Sequence, residues 1–396
     1  MQKHRVVARA EGIIAPFLAD LETIVNIDSG TYTKAGIDRV GAYLQERFHD
    51  FGFVTYFDPQ HEYGNHLVAS RKGDMPDGPR ILLLGHMDTV FPEGEVARRP
   101  FSLAERDGMH IARGPGILDM KSGLLIGMYG LHLLLAEQDA PYQDVTFILN
   151  SDEEIGSFSS KPLIQELARN MDAVIVLEPG RMKNTVVSSR RGIGHYRVTV
   201  HGISAHAGVE PHKGRNAILE LAHQVIALQE LNGTIPGTTL NVGIIRGGER
   251  TNIVPDLAYC EIDVRVSSKE GTRNIEAAMR RVTEKTILDG TRVVLSGGIR
   301  AQPFERTSRS ARLVELVKEA GQDLGLRIED LGSGGASDAN NTAALDIPTV
   351  DGLGAGGGLA HNPDEYIELD YLPIRIALLS GLVQRIGKYY QSGHRL

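Results

Sequence analysis

Residues 81–90 read ILLLGHMDTV, residues 145–154 read VTFILNSDEE, and residues 173–180 read AVIVLEPG. Each starts as an unbroken apolar run and ends abruptly in histidine or acid. Four or five apolar residues without alternation are what a strand buried on both faces requires. Between the first two runs, residues 120–137 are apolar on nearly every side and read as a buried helix. Residues 161–169 form a short helix between the second and third. This βαβ alternation predicts an α/β fold. In open sheets of that kind, ligands bind in the crevice beyond the carboxyl ends of the strands. Three strand ends carrying His86, Asp88, Glu153, Glu154 and Glu178 would share one rim.

Outward from this core, residues 8–21 and 37–48 have helical spacing, with Gly52 placed to end the second helix. Residues 66–70 form a further strand. From Arg190 the pattern changes to half-buried alternation: strands at 194–200, 239–245, 257–266 and 292–295, helices at 216–231 and 273–288. The order β-α-β-β-α-β is ferredoxin-like. After Pro303 the α/β pattern resumes, with a helix at 308–324, a strand at 347–350 and a closing helix at 371–389. The expected architecture is therefore α/β: a mixed, mostly parallel sheet flanked by helices (residues 1–189 and 302–396), interrupted by an inserted α+β domain (190–301).

Composition narrows the chemistry. With 396 residues and 41% hydrophobic content, the chain can bury about two domain cores. Lys and Arg total 42 against 50 Asp and Glu, a net charge of −8 without basic blocks, which argues against nucleic-acid or membrane-surface partners. The single cysteine, Cys260, excludes an intrachain disulfide and a cysteine-based zinc site. Any metal must be held by carboxylates and some of the 14 histidines. No signal peptide is legible at the N-terminus, and the longest apolar stretch, 123–136, falls short of the ~20 residues of a membrane span. A cytoplasmic protein is expected.

Histidine and carboxylates converging without cysteine make a divalent-metal site of the catalytic type. Asp119, in GPGILDMKSG, either caps the buried helix or bridges two ions with its two oxygens. His361, in GGGLAHNPDEY, follows glycines that let the backbone turn tightly. Two lookalikes fail. Residues 352–357 fit G-x-G-x-x-G, but no helix follows to receive a pyrophosphate. HEYGNH (61–66) has one residue too many for H-E-x-x-H and sits in a turn. A serine nucleophile is not supported either, because Ser333 in GSGGASD lacks the strand-to-elbow context.

Taken together, GHMDTV, ILDMKSG, NSDEEIGS, LEPG, HGISAHAG and the late glycine-loop histidine resemble the M20 family of dinuclear zinc amidohydrolases, most of all its carboxypeptidase G2 (glutamate carboxypeptidase) branch. The likeness runs from IVNIDSGT at Ile24 to the HNPDEYI segment. It implies a zinc-exopeptidase-like catalytic domain and an inserted lid that also dimerises. It implies two zinc ions per subunit, replaceable by cobalt or manganese: one held by His86, Asp119 and Glu178, the other by Asp119, Glu154 and His361. Asp88 would hold the His86 ring by its other nitrogen, and Glu153 would be the general base. The oxyanion donor in the family is a lid histidine contributed by the partner subunit, the place His206 takes here. Arg265 matches the family position that grips a substrate carboxylate. Asn252 lines the site, and Arg300 and Lys183 fall near positions that read a glutamate side chain. The glycine loop at Gly334 and Gly335 continues with Ala336, where the family has a third glycine. That extra methyl, close to substrate, argues against strict glutamate selectivity.

The expected reaction is hydrolysis of an amide that releases a C-terminal amino acid from a peptidyl or N-acyl donor, by a homodimer. A narrower N-acyl-amino-acid deacylase is the alternative within the same chemistry. A metal-free binding homologue is the alternative outside it, disfavoured because all five ligand positions and the base are present.

Overall fold

The computed structural model describes residues 2–136, 140–180 and 184–396, with side chains from Arg5 onward. The chain divides into two compact units. The first comprises Met1–Ser188, Arg306–Gly332 and Ser337–Leu396, and the second Ser189–Glu305 and Ser333–Ala336.

In the first unit a six-stranded sheet runs in the order Val54–Asp58, His66–Lys72, Asp144–Asn150, Arg80–His86, Ala173–Val176 and Thr349–Val350. The last four are parallel to one another. The first two form an antiparallel edge. The continuous apolar runs are the central strands: Ile81, Leu82, Leu83, Leu84, Val145, Phe147, Ile148, Val174 and Ile175 are all inaccessible to solvent. Register then places the chemistry. His86 lies opposite Asn150, and Leu84 opposite Val176. Two residues on from Val176 is Glu178, so His86 and Glu178 emerge level with each other at the carboxyl edge.

The helix Ser122–Ala136 has nearly every side chain buried. The helix Leu372–Gln391 packs on it. At Gly130 a Cβ would stand 2.7 Å from a Leu379 methyl, so the glycine sets that close helix–helix approach. Together with the turn before it, this segment extends over Ile117–Ala136, 20 residues, longer than the apolar stretch read from sequence. It is long and apolar enough to cross a bilayer, yet 89% of its apolar 18-residue window is buried inside the fold as the core helix.

Several elements differ from expectation. The first helix is two, Gln2–Gly12 and Ile14–Val25, interrupted at Ile13 just after Gly12. The edge strand Val54–Asp58, short and half-exposed, and the hairpin Ser102–Arg106 with Met109–Arg113, short, charged and half-exposed, were not legible. That hairpin joins Tyr366–Glu368 and Gly357–Gly358 in a small antiparallel sheet. It consequently holds the loop that carries His361.

The second unit is a four-stranded antiparallel sheet in the order Thr238–Gly247, Leu257–Val266, Gly192–His201 and Arg292–Ala301. Helices Ala217–Gln229 and Lys269–Thr283 cover one face. Its core contains Val198, Val200, Leu221, Cys260, Ile262, Val264, Ile275 and Met279. Asn216 caps the first helix by accepting from the Leu219 amide at 3.0 Å. Ser268 caps the second at the Gly271 amide, 2.9 Å, and so starts it four residues earlier than the spacing predicted. The last strand runs on to Ala301 through Gly297 and Gly298, where the sequence pattern stopped.

Candidate metal centre

His86 ends its strand with a side chain only 1% exposed. Its Nδ1 stands 2.9 Å from the carbonyl oxygen of Asp88. A carbonyl can only accept, so Nδ1 carries a proton, and Nε2 is the nitrogen that a metal could take. That Nε2 is 3.2 Å from Asp119 Oδ1 and 3.6 Å from Glu178 Oε1.

Asp119 is not a helix cap. It occupies the turn Ile117–Lys121 in a non-helical conformation, after Gly116 at φ +67°, and the Asp119–Met120 peptide is cis. Its two oxygens face two different histidines: Oδ1 looks to His86, and Oδ2 is 3.1 Å from His361 Nε2. Glu154 Oε2 is 3.3 Å from the same His361 nitrogen.

An ion held tetrahedrally at about 2.0–2.1 Å spaces neighbouring donors about 3.3 Å apart. The four separations agree with that spacing on both sides of Asp119. Among the described residues, Glu154 Oε1 is also buried without a hydrogen-bond partner. The electrostatics point the same way. Burial, then Glu178, pushes the Glu153 carboxyl well above the usual carboxylate range, and burial raises Glu154 as well. Hydrogen bonds to Asp119 and Glu154 raise His361 to about 10. Such a surplus of buried negative charge is stable only when paired or metal-bound. The residues present therefore fit a pair of divalent cations.

Proximity alone does not separate base from ligand. The donor atoms of His86, Asp119 and Glu154 lie within 4.8 Å of one another, and so do those of His86, Glu153 and Glu178.

Asp88 is inaccessible to solvent and does more than hold a ring. Its carboxylate accepts from the Thr31 hydroxyl at 2.7 Å and from the Glu153 and Glu154 amides, both at 3.2 Å. Toward His86 its carbonyl is nearer than its carboxylate, 2.9 against 3.4 Å. Thr31, in the IVNIDSGT segment, carries no sequence signal of this role.

His361 sits on the loop between Gly357–Gly358 and Tyr366–Glu368, and its side chain is 53% exposed. Glycines were expected to supply the bend. The left-handed conformation falls instead on Leu359 and His361, at φ +63° and +62°. Gly354 serves a different need: a Cβ there would lie 2.3 Å from the Leu177 carbonyl oxygen. Its amide bonds the Glu178 carbonyl at 2.9 Å, so the glycine loop is laid directly along the Glu178 segment. Arg375, buried, holds the same loop by donating to the Gly352 and Gly354 carbonyls. A second buried carboxylate, Asp338, accepts from Asn150, Ser157 and Asn341; burial raises it to about 6.

Of the remaining predicted residues, His206, Asn252, Arg265, Arg300 and Gly335 belong to the second unit. His206 is exposed and pairs opposite Ile253, and the Ala207 amide bonds the Asn252 carbonyl. His206 Nδ1 accepts from the Gly208 and Val209 amides at 3.2 Å each, which leaves Nε2 as the proton-bearing donor. Arg265 is already engaged: its guanidinium makes two bonds to Asp263, 2.8 and 3.1 Å. Arg300 lies 3.4 Å from His195 Nδ1. Around Gly335 there is open space, and its carbonyl accepts from Arg190 at 3.4 Å. Lys183 lies outside the described residues.

Residues 82–385 match the model of Peptidase family M20/M25/M40. The chain belongs to this family. Carboxypeptidase G2 of Pseudomonas sp. (strain RS-16) is 31% identical over 380 residues, covering 93% of this chain and 88% of its own. Succinyl-diaminopimelate desuccinylase of Delftia acidovorans is 30% identical over 331 residues, covering 78% and 82%. The crystal structure of aminopeptidase PepT from Bacillus cereus, 24% identical, shares the fold with a TM-score of 0.81 over 94% of this chain and 98% of that one. This M20 chain is thus a hydrolase of the metallopeptidase and amidohydrolase class, from a metal-dependent family, with a candidate dinuclear cluster in place.

Proposed function

We propose that this M20 hydrolase cleaves an amide to release a C-terminal, glutamate-like amino acid from a peptidyl or N-acyl donor, using two zinc ions. The observation that carries this reading is Asp119, whose separate oxygens face His86 and His361. His86, Asp119 and Glu178 would hold one ion, and Asp119, Glu154 and His361 the other. Bound there, such a pair would supply polarisation of the scissile carbonyl and a lowered pKa for the attacking water.

Glu153 takes the proton from that water and passes it to the leaving amine. Glu153 and Glu154 can divide base and ligand roles because Asp88 grips both of their amides and fixes the turn between them. His206, with Nε2–H outward, is the donor for the developing oxyanion. Arg265 receives the substrate carboxylate, exchanging it against Asp263, with Asn252, Arg300, Lys183 and Gly335 as further contacts.

The homodimer remains part of the proposal. The edge strand Thr238–Gly247 leaves Ile244 and Ile245 exposed, and the adjacent helix exposes Leu219 and Ile226, a surface suited to a second copy. A cytoplasmic location agrees with Cys260, a buried free thiol. The desuccinylase relative favours one second reading, an N-acyl-amino-acid deacylase.

A release assay over varied C-terminal amino acids and acyl groups, on zinc- and cobalt-loaded protein, tests the proposal. Turnover of N-acyl and peptidyl glutamates is expected. Turnover confined to one acyl group, whatever the amino acid, would favour the deacylase. Absence of bound divalent metal together with absence of turnover would refute both.

A further inference from the structure

Glu365 stands four residues beyond His361 and is completely buried. Its partners are three backbone amides of one turn. Oε1 accepts from Leu118 at 2.6 Å and from Asp119 at 2.9 Å, and Oε2 accepts from Gly116 at 3.2 Å. Amides converging from one turn form a concave anion site, and here the Ile117 amide alone turns away, to the Gly114 carbonyl. Here the anion is the chain's own carboxylate, arriving from about 250 residues further along the sequence.

The other end of the connection is just as firm. Residues 359–365 are closed by bonds from the Asn362 amide to the Leu359 carbonyl and from the Glu365 amide to the Asn362 carbonyl, 3.0 Å each. The Asp364 amide adds a third, to the Asn362 side chain at 2.9 Å. The loop that presents His361 therefore ends in a side chain clasped by the turn that presents Asp119. These two residues already face each other at 3.1 Å.

We propose that Glu365 is a positioning residue for the ion shared by Asp119, Glu154 and His361, locking the His361 loop to the Asp119 turn. This rests on the two-ion reading above. Glu365 touches neither ion nor substrate; it acts by fixing the separation of two ligands that lie on different segments. His86 and Glu178 are held level with each other by the parallel strand register, without Glu365, so the effect should be uneven. The His361 ion depends on Glu365, and the His86–Glu178 ion much less.

The test is calorimetric titration of metal-free protein with zinc and with cobalt, on wild type, Glu365→Gln and Glu365→Asp, alongside the melting temperature of each metal-free protein. Glutamine keeps the shape but turns one acceptor into an NH2 that opposes a backbone N–H. Loss of such a supporting contact typically weakens metal binding about 10–100-fold. The expected result is that weakening for one of two ions in Glu365→Gln, with the other ion within about three-fold of wild type. Glu365→Asp, charged but one methylene short, should fall between. If a variant binds both ions as wild type does while only its melting temperature falls, Glu365 is a structural cap and the inference is wrong. If Glu365→Gln does not fold, the same two outcomes in Glu365→Asp decide. If wild type itself binds fewer than two ions, the two-ion reading fails, and the positioning role fails with it.

Discussion

Replacing Asp88 by asparagine tests how the centre is held together. The carboxylate accepts three hydrogen bonds: Oδ1 takes the Glu153 amide, and Oδ2 takes the Thr31 hydroxyl and the Glu154 amide. An asparagine loses least by placing Nδ2 where Oδ1 was. It then keeps Thr31 and Glu154 but points a donor at the Glu153 N–H. One bond to a charged group is lost, about 1.5–3 kcal/mol, and the two survivors fall to neutral strength. The expected loss of native stability is about 2–4 kcal/mol. The amide set free belongs to Glu153, the proposed base, so turnover should suffer as well. A fall in kcat of about 10–100-fold is expected, with KM little changed. Metal should remain, because the Asp88 carbonyl that orients His86 is untouched. The assays are steady-state hydrolysis, denaturant unfolding and metal analysis on one preparation. A variant with wild-type kcat and both ions bound would show that the Glu153 turn does not need Asp88, and the reasoning would fail.

Three further outcomes follow from the same geometry. Glu153→Ala should lower kcat about 10²–10⁴-fold while retaining bound metal; full activity would remove Glu153 from the mechanism. Arg265→Ala should raise KM for carboxylate-bearing substrates about 10–100-fold, the worth of a charged hydrogen bond, and an unchanged KM would argue against the clamp. Gly354→Ala, which drives a methyl into the Leu177 carbonyl, should cost about 1–3 kcal/mol in urea unfolding, whereas Gly298→Ala, with nothing within 4 Å of its Cβ, is the near-neutral control.

The core of the fold was legible because its signal is local. Three apolar runs of strand length, each stopped by acid or histidine, fix the central strands and the rim at once. His86 and Glu178 needed only the parallel register to come level. What escaped depends on contacts distant in sequence or on weak elements. The hairpin Ser102–Arg106 with Met109–Arg113 has no apolar run, so nothing in it announces that it will hold the His361 loop. Glu365 looks like one more acid in HNPDEY until the turn at 116–119 is brought against it. Gly354 read only as part of a failed G-x-G-x-x-G lookalike, but its role is space beside Leu177. One omission was avoidable: Asp263 and Arg265 are two apart on a strand and so share a face. Their pairing could have been anticipated from EIDVRV.

The Ser122–Ala136 helix has a consequence for how the protein is made. Its covering helix, Leu372–Gln391, lies at the far end of the chain. At about 5–20 residues per second, a ribosome needs on the order of 10–50 seconds to travel from one to the other. Throughout that interval the newborn chain displays a segment as greasy as a membrane anchor, with its final cover not yet synthesised. Any premature stop before residue 372 leaves the face that Leu372–Gln391 covers permanently bare. Truncated products of this gene should therefore be ready clients for chaperones and proteases rather than partly active enzymes.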